Sequence, residues 1–380
     1  MTKLAIIGAS YLQEPLIRKA KERGIETHVF AWECGDVGEK IADHFYPISI
    51  IEKDAILDKC REIGIDGICS IASDLASITV NYVANNMGLI GNTMECTRNS
   101  TDKHLMRECF EKNDDPSPKS IKVESVNDLS GIDISFPVIV KPLDRSGSRG
   151  ITKVKEASEL SAAIENAKSQ GFEKSALVEE FAEGDEYSVE YVSWKGKHTF
   201  LALTKKFTTG APNFIETGHM EPADVSTEVL ERVKSIVNHA LDSLGIEYGA
   251  SHSEVKIDDK GEIKIIEIGG RMGGDFIGSD LVEISTGFDF VNAVIDIALG
   301  NEPIKKNADT TIAAVRFIFS EEDVNVLNEM KRNDPDILVS EEVNEISRNA
   351  VHDSSERFGY YLFKSDNIEI IKKYLPEDEA

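Results

Sequence analysis

Apolar and polar positions over the first hundred residues alternate between two periods. "KLAIIG", "THVFAW" and "DGICSIA" are short, continuous apolar runs of the kind that become buried strands. "EPLIRKAKERG", "DAILDKCREIG" and "LASITVNYVANNMG" carry their apolar residues at helical spacing, the first closed by Gly24. Strand and helix in alternation, with short joins, predict an α/β unit: a parallel sheet with helices on both faces. The loop "GASYLQ" follows the first strand, where such folds bind ligands at strand carboxyl ends. It lacks G-x-G-x-x-G, so it does not read as a dinucleotide loop.

The pattern then changes. "NSTDKHLMRECFEKNDDPSPK" predicts a helix capped by Thr101 or Asp102, with Leu105, Met106, Cys109 and Phe110 as its apolar stripe. From about 120 to 192 the runs "FPVIVKPLD", "ITKVK", "SALVEEF" and "EYSVEYVS" surround one helix, "ELSAAIENAKSQG", and predict a small α+β lobe. Residues 199–300 add strands and two helices. One repeats Leu230, Val233, Val237, Ala240, Leu241 and Leu244, and the other has Val291, Val294, Ile295 and Ala298 before Gly300. Beyond 310, "TIAAVRFIF" and "FGYYLFKS" read as strands of the same larger lobe.

Composition narrows the partners. A chain of 380 residues exceeds what one core usually fills, so two or three lobes are expected. Lys and Arg number 42 against 68 Asp and Glu, a net charge of −26, which disfavours nucleic acid and anionic membrane as partners. An anionic ligand must therefore find a local basic pocket. Cys34, Cys60, Cys69, Cys96 and Cys109 form no C-x-x-C and read as reduced, mostly buried thiols of a cytoplasmic protein. No run reaches membrane-span length.

Candidate chemistry concentrates in "HSEVKIDDKGEIKIIEIGGRMGGD". The tetrad Asp258–Gly261 predicts a hairpin turn. A loop of two or four residues would pair Glu254 with Ile265 and set Glu267 diagonal to Glu254 on the same face, roughly 7–8 Å away; a loop of three would split the acids between faces. Two carboxylates on one face repel unless a cation lies between them, and a hard divalent ion is the natural occupant. The plain alternative is a pair of solvated strand acids. "VIVKPLDRSGSRGI" puts Lys141 at a strand end before a loop of Ser146, Gly147, Ser148, Arg149 and Gly150, whose small residues let backbone N–H groups approach phosphate. It is not a Walker A loop, and a simple hairpin tip is its alternative. "LVEEFAEGDEYSVE" offers Glu179, Glu180 and Phe181 at a strand end and Glu186 at the next strand, where backbone groups can meet an adenine edge and a carboxylate can accept ribose hydroxyls.

Taken in order, the helix-borne Lys103, the strand Lys141 with its glycine-serine loop, "VEEF…GDEYSVE" and Glu254…Glu267-x-x-x-Arg271 resemble the ATP-grasp family. Within it, the "HSEVK…IEIGGR" run is most similar to L-amino-acid ligases that make dipeptides, the bacilysin type. The resemblance implies a Rossmann-like domain over 1–100 and a two-lobed α+β ATP-grasp core over 101–300 with its lid near 130–195. Residues 301–380 would complete the large lobe. It implies ATP and one or two Mg²⁺ ions (or Mn²⁺) as cofactors, and small carboxylate and amine substrates. Lys103, Lys141, Ser146, Gly147, Ser148 and Gly150 would contact phosphates, Glu179, Glu180 and Phe181 would line the adenine pocket, and Glu186 would hold the ribose. Glu254 and Glu267 would bind metal, Lys141, Arg149 and Arg271 would neutralise the transferring phosphoryl group, and His219, Arg271 and Gly273 would meet substrate. Many relatives carry an asparagine where this chain has Gly269, which removes one oxygen donor. The implied reaction is ATP-dependent amide formation through an acyl phosphate. An ATP-grasp carboxylase, a carbamoyl-phosphate-synthase-like enzyme and a non-catalytic ATP-binding module are the competing readings. A homodimer is the default expectation for assembly.

Overall fold

The computed structural model describes residues 1–144, 150–210, 215–304, 311–346 and 357–376. Ser146, Gly147, Ser148 and Arg149 of the expected phosphate loop lie outside them. Strands β1 (Lys3–Ile7), β2 (Glu26–Phe30), β3 (His44–Tyr46) and β4 (Gly67–Cys69) form a parallel sheet in the order β3-β2-β1-β4. Alternation sends Ala5, Ile7 and Phe30 to one face, against Ile56, Leu57 and Cys60 of helix Lys53–Ile63 and Val83 and Ala84 of helix Asp74–Met87. Leu4, Ile6 and Val29 go to the other, against Leu16 and Ile17 of helix Glu14–Glu22 and against helix Phe290–Ala298. This Rossmann-like sheet therefore shares a core with a helix from far along the chain, which fixes it to the rest of the molecule.

A second, antiparallel sheet holds β5 (Ser120–Val123), β6 (Val138–Pro142), β7 (Thr152–Val154) and β8 (Ala176–Glu180) in the order β5-β8-β6-β7. Helix Leu160–Gln170 lays Leu160, Ala163, Ile164 and Ala167 on Val140, Val154 and Val178. The sequence pattern placed the run "EYSVEYVS", 186–193, in this lobe. Instead β9 (Asp185–Trp194) is interior to a third sheet, paired on both edges. Its unbroken buried run, Tyr187 to Ser193, is the mark of a strand covered on both faces. The crossing between sheets falls at Gly184, with φ at +103°, where a Cβ would lie 2.2 Å from the Ile257 carbonyl oxygen. Only glycine fits there.

The third sheet adds β10 (Lys197–Thr208), β11 (Glu216–Glu221), β12 (Tyr248–Ile257), β13 (Ile263–Gly269), β14 (Ile312–Phe317), β15 (Leu338–Val343) and β16 (Gly359–Ser365). Its order is β13-β12-β9-β10-β11-β14-β16-β15. Helix Thr227–Leu244 buries Val233, Val237, Ala240, Leu241 and Leu244 against Val189, Val255 and Ile265. Among the described residues, no helix is long and apolar enough to cross a membrane.

Candidate active site

A cleft of about 1170 Å³ opens where the three sheets meet. Tyr11 and Leu12, from the loop after β1, form one rim; Lys141 comes from the small sheet; Glu186, Lys206, Glu216, Glu254 and Glu267 rise from the large one.

Glu254 and Glu267 stand directly opposite one another on β12 and β13, closer in register than the diagonal pairing the sequence suggests. Ile257 pairs with Ile263, which leaves residues 258–262 in the turn. That odd count would by itself send the acids to opposite faces. A bulge restores them: Val255 pairs with Ile265 and Glu254 with Glu267, so Ile266 is the extra residue. Its freed carbonyl accepts a hydrogen bond from Arg107 Nη2 at 2.6 Å. Bulge and arginine together aim the two carboxylates.

Each acid has its own lysine. Lys103 Nζ donates to Glu267 Oε1 at 2.8 Å, and Lys206 Nζ to Glu254 Oε1 at 3.0 Å. Lys206 also lies 2.8 Å from Glu186 and 2.7 Å from Glu216, at the centre of carboxylates from three strands. Burial acts to discharge it, but those acids outweigh burial and hold its ammonium well above the usual range. Glu186, Glu216 and Glu254 converge closely enough to suggest a metal triad, yet the lysine already supplies their cation. Glu267 stands outside that group, beside Lys103.

Helix Lys103–Lys112 begins at Asp102, whose side chain accepts from the His104 and Leu105 N–H groups. Its buried face is Lys103, Met106, Arg107 and Phe110, rather than a stripe through Leu105 and Cys109. Cations thus sit in the apolar stripe. Arg107 Nε lies 3.0 Å from Glu179 Oε1, and Lys141 Nζ 2.5 Å from Glu179 Oε2. Two buried cations share one carboxylate, so this floor carries surplus positive charge. Burial, with Arg107 and Lys103 nearby, pushes the Lys141 ammonium below its ordinary range although Glu179 opposes the shift. The Glu179 carboxylate is therefore committed inside the protein. Glu180 is exposed and paired with Lys264 at 2.6 Å, while the Phe181 ring carries Lys153 Nζ 3.6 Å from its centroid. Gly150 is in the turn leading to β7.

Arg271 borders the cleft and is locked by Asp74, Nε to Oδ1 at 2.8 Å and Nη2 to Oδ2 at 2.9 Å. A Cβ on Gly269 would stand 2.7 Å from Asp74 Oδ1 and 3.2 Å from Arg271 Nε, so this ion pair occupies the space an asparagine would need. Gly273 is buried, donates its N–H to Glu190 Oε2 at 3.1 Å and packs on the bonded pair His252–Glu190; it does not line the cleft, whereas the next residue, Gly274, does. Burial opposes charge on His252, but Glu190 outweighs it and raises the imidazole to about 9.

His219 is fully buried behind Glu216, its Nε2 3.7 Å from Glu216 Oε2, with its ring edge-on to Phe317. Burial pushes it down to about 3. It does not line the cleft. The groups that do are Glu216, Asp275 and Arg357, whose Nη1 lies 2.8 Å from Asp275 Oδ2 and whose guanidinium rests on the Phe317 ring at 3.6 Å. Burial, reinforced by Glu216 and opposed by Arg357, lifts Asp275 to about 6.

Sequence reasoning missed Lys206, Arg107, Asp74, Asp275 and Arg357. The first two left a signal: "FLALTKKF" puts lysines inside an apolar strand, and Arg107 falls four residues after Lys103 on one helix face.

Residues 134–280 match the ATP-grasp domain model. Alanine–anticapsin ligase of Bacillus subtilis is 27% identical over 274 residues, covering 63% of this chain and 58% of that protein. The chain thus spans little more than half the length of that relative. The crystal structure of an L-amino acid ligase from Bacillus licheniformis superposes with a TM-score of 0.82 at 22% identity, over 98% of this chain and 96% of that one. N5-carboxyaminoimidazole synthetase from Staphylococcus aureus superposes with a TM-score of 0.75 at 14% identity, over 98% and 95%. At such identities the superpositions show shared fold.

Proposed function

We propose that this chain, whose residues 134–280 match the ATP-grasp domain model, is an ADP-forming carboxylate–amine ligase that acts on amino acids. The observation that carries the reading is the pairing of two facing acids, Glu254 and Glu267, with Lys103 and Lys141, cations that line the cleft beside them. One grouping suits a hard divalent cation and the other suits phosphate oxygens.

The donor set fits Mg²⁺ or Mn²⁺: two carboxylates on one face, partly open at 30% and 24% exposure, each with only one oxygen held by its lysine. Gly269 offers no side-chain oxygen, which leaves these two acids as the protein's own ligands. The metal, when bound through Glu254 and Glu267, would neutralise charge on the transferring phosphoryl group.

The chain's own residues do the rest. Lys141 and Lys103 hold the ATP phosphates, Phe181 covers the base, and Glu186 accepts the ribose hydroxyls. The substrate carboxylate attacks the terminal phosphorus, the bond from that phosphorus to the bridging oxygen breaks, ADP leaves, and an acyl phosphate forms, with Arg271 neutralising its oxygens. An amine then attacks the acyl carbon, and phosphate leaves as the amide forms. Glu216, Asp275 and Arg357, which line the cleft beside Lys206, are the charged groups placed to meet the ammonium and carboxylate of an amino-acid substrate. Lys206 touches the ribose acid, a metal acid and this ammonium site at once, and so keeps the three in register.

The test is incubation with ATP, Mg²⁺ and pooled amino acids, following phosphate release and product mass. Release that needs an amino acid, with a dipeptide-mass product, supports the ligase. Release stimulated by bicarbonate instead makes the chain a carboxylase, and nucleotide binding with no turnover makes it a binding module.

A further inference from the structure

A second group of ligating side chains lies far from the cleft, on the parallel sheet. His28 of β2 pairs in register with His44 of β3, and their rings stack with centroids 4.7 Å apart. Glu26, two residues before His28 on the same strand, points to the same face. Its Oε1 lies 3.2 Å from His28 Nε2 and 3.1 Å from His44 Nε2. One carboxylate oxygen therefore sits between two imidazole nitrogens.

His28 is the informative member. It is 3% exposed, and its Nε2 has no hydrogen-bond partner despite the nearby carboxylate, because the approach lacks hydrogen-bond geometry. Its other nitrogen, Nδ1, lies 3.0 Å from the Tyr46 hydroxyl. That contact orients the ring and leaves Nε2 facing Glu26 and His44. Lys3, the cation whose charge reaches this histidine, gives its ammonium to the Ile63 carbonyl at 2.8 Å and so does not fill the gap. A buried imidazole nitrogen with no partner is costly unless something occupies the space in front of it.

We propose that Glu26, His28 and His44 form a binding site for a borderline transition-metal dication, Zn²⁺ in the first place, with water completing the coordination. Ligands about 2.0–2.1 Å from a tetrahedral zinc stand roughly 3.3 Å from one another, close to the two Nε2–Oε1 separations. Two imidazoles and one carboxylate suit zinc, copper or nickel and not Mg²⁺, which takes oxygen ligands. The Tyr46 contact is the outer hydrogen bond that metal-bound histidines commonly make. Glu26 and His44 are the first residues of their strands, whereas the opposite end of the sheet borders the cleft through Tyr11 and Leu12. The site is thus independent of Glu254 and Glu267, and its metal pins the edge strand β3 to β2.

Equilibrium dialysis of the full chain against Zn²⁺, in excess Mg²⁺ to fill the carboxylate pair, tests this. The wild type is expected to take up one Zn²⁺ per chain. His44→Ala and Glu26→Gln, both at partly exposed positions, are expected to lower the affinity roughly 10- to 100-fold or more, while Glu267→Gln leaves it unchanged. Co²⁺ should give the visible absorption of a low-symmetry site in the wild type and lose it in His44→Ala. Absence of Zn²⁺ uptake by the wild type, wild-type affinity in both variants, or loss on Glu267→Gln alone would overturn the proposal.

Discussion

Asp74 and Arg271 meet in a two-bonded ion pair that joins the start of a helix on the N-terminal sheet to the end of the β12–β13 hairpin. Gly269 lies beneath it with no room for a Cβ. Installing asparagine at that position is expected to part Asp74 from Arg271 and not to add a metal ligand. Gly269→Asn should lower stability by about 1–3 kcal/mol through overpacking and should lower turnover, since Arg271 loses its orientation. Thermal melts and steady-state assays of that variant check both.

Lys141 is expected to act on nucleotide and not on folding. Without it, Glu179 still holds Arg107, so Lys141→Met leaves that carboxylate paired. ATP affinity and turnover should fall together by about 100-fold or more, with the melting temperature nearly unchanged. Nucleotide titration beside calorimetry separates the two effects.

Stability should depend on pH through Glu221. It is fully buried, bonded to the Thr204 and Ser285 hydroxyls, and burial lifts it to about 8 from an ordinary 4.5. Its folded value lies above its unfolded one, so its contribution is complete below pH 4.5 and disappears as pH rises through about 8. The loss is on the order of a few kcal/mol. Glu221→Gln, which cannot ionise, should flatten the decline in denaturant midpoint between those pH values.

Glu267→Gln removes one of the two proposed metal-binding acids and leaves Lys103 a neutral oxygen in its place. Turnover should drop about 100-fold or more and the Mg²⁺ concentration for half activity should rise. Wild-type turnover at ordinary Mg²⁺ would remove Glu267 from the site.

Much of the architecture was legible from local pattern. Strands β1 and β6 and helix Thr227–Leu244 follow from their own apolar pattern and their closing glycine or proline, and β2 from its apolar run alone, because each buries a face that is continuous in sequence. The membership of β9 was not, since which sheet a central strand joins depends on partners distant in the chain. The same holds in the site. That Glu254 and Glu267 belong together could be read from their hairpin, but the bulge at Ile266 that makes them face each other is tied to Arg107, 159 residues away. Arg271 was visible in its glycine-rich run, whereas Asp74, which orients it, sits 197 residues earlier in an unremarkable helix start. His219 had the right residue type but its strand position sends it inward, behind Glu216.

Isotope transfer tests the central claim most directly. Amino acids labelled with ¹⁸O in their carboxylates, supplied with ATP and Mg²⁺, should pass one labelled oxygen to the released phosphate for each amide formed, because the acyl phosphate joins that oxygen to phosphorus before the amine displaces it. Amide formation with unlabelled phosphate, or phosphate release without any transfer from an amino-acid carboxylate, would contradict the account.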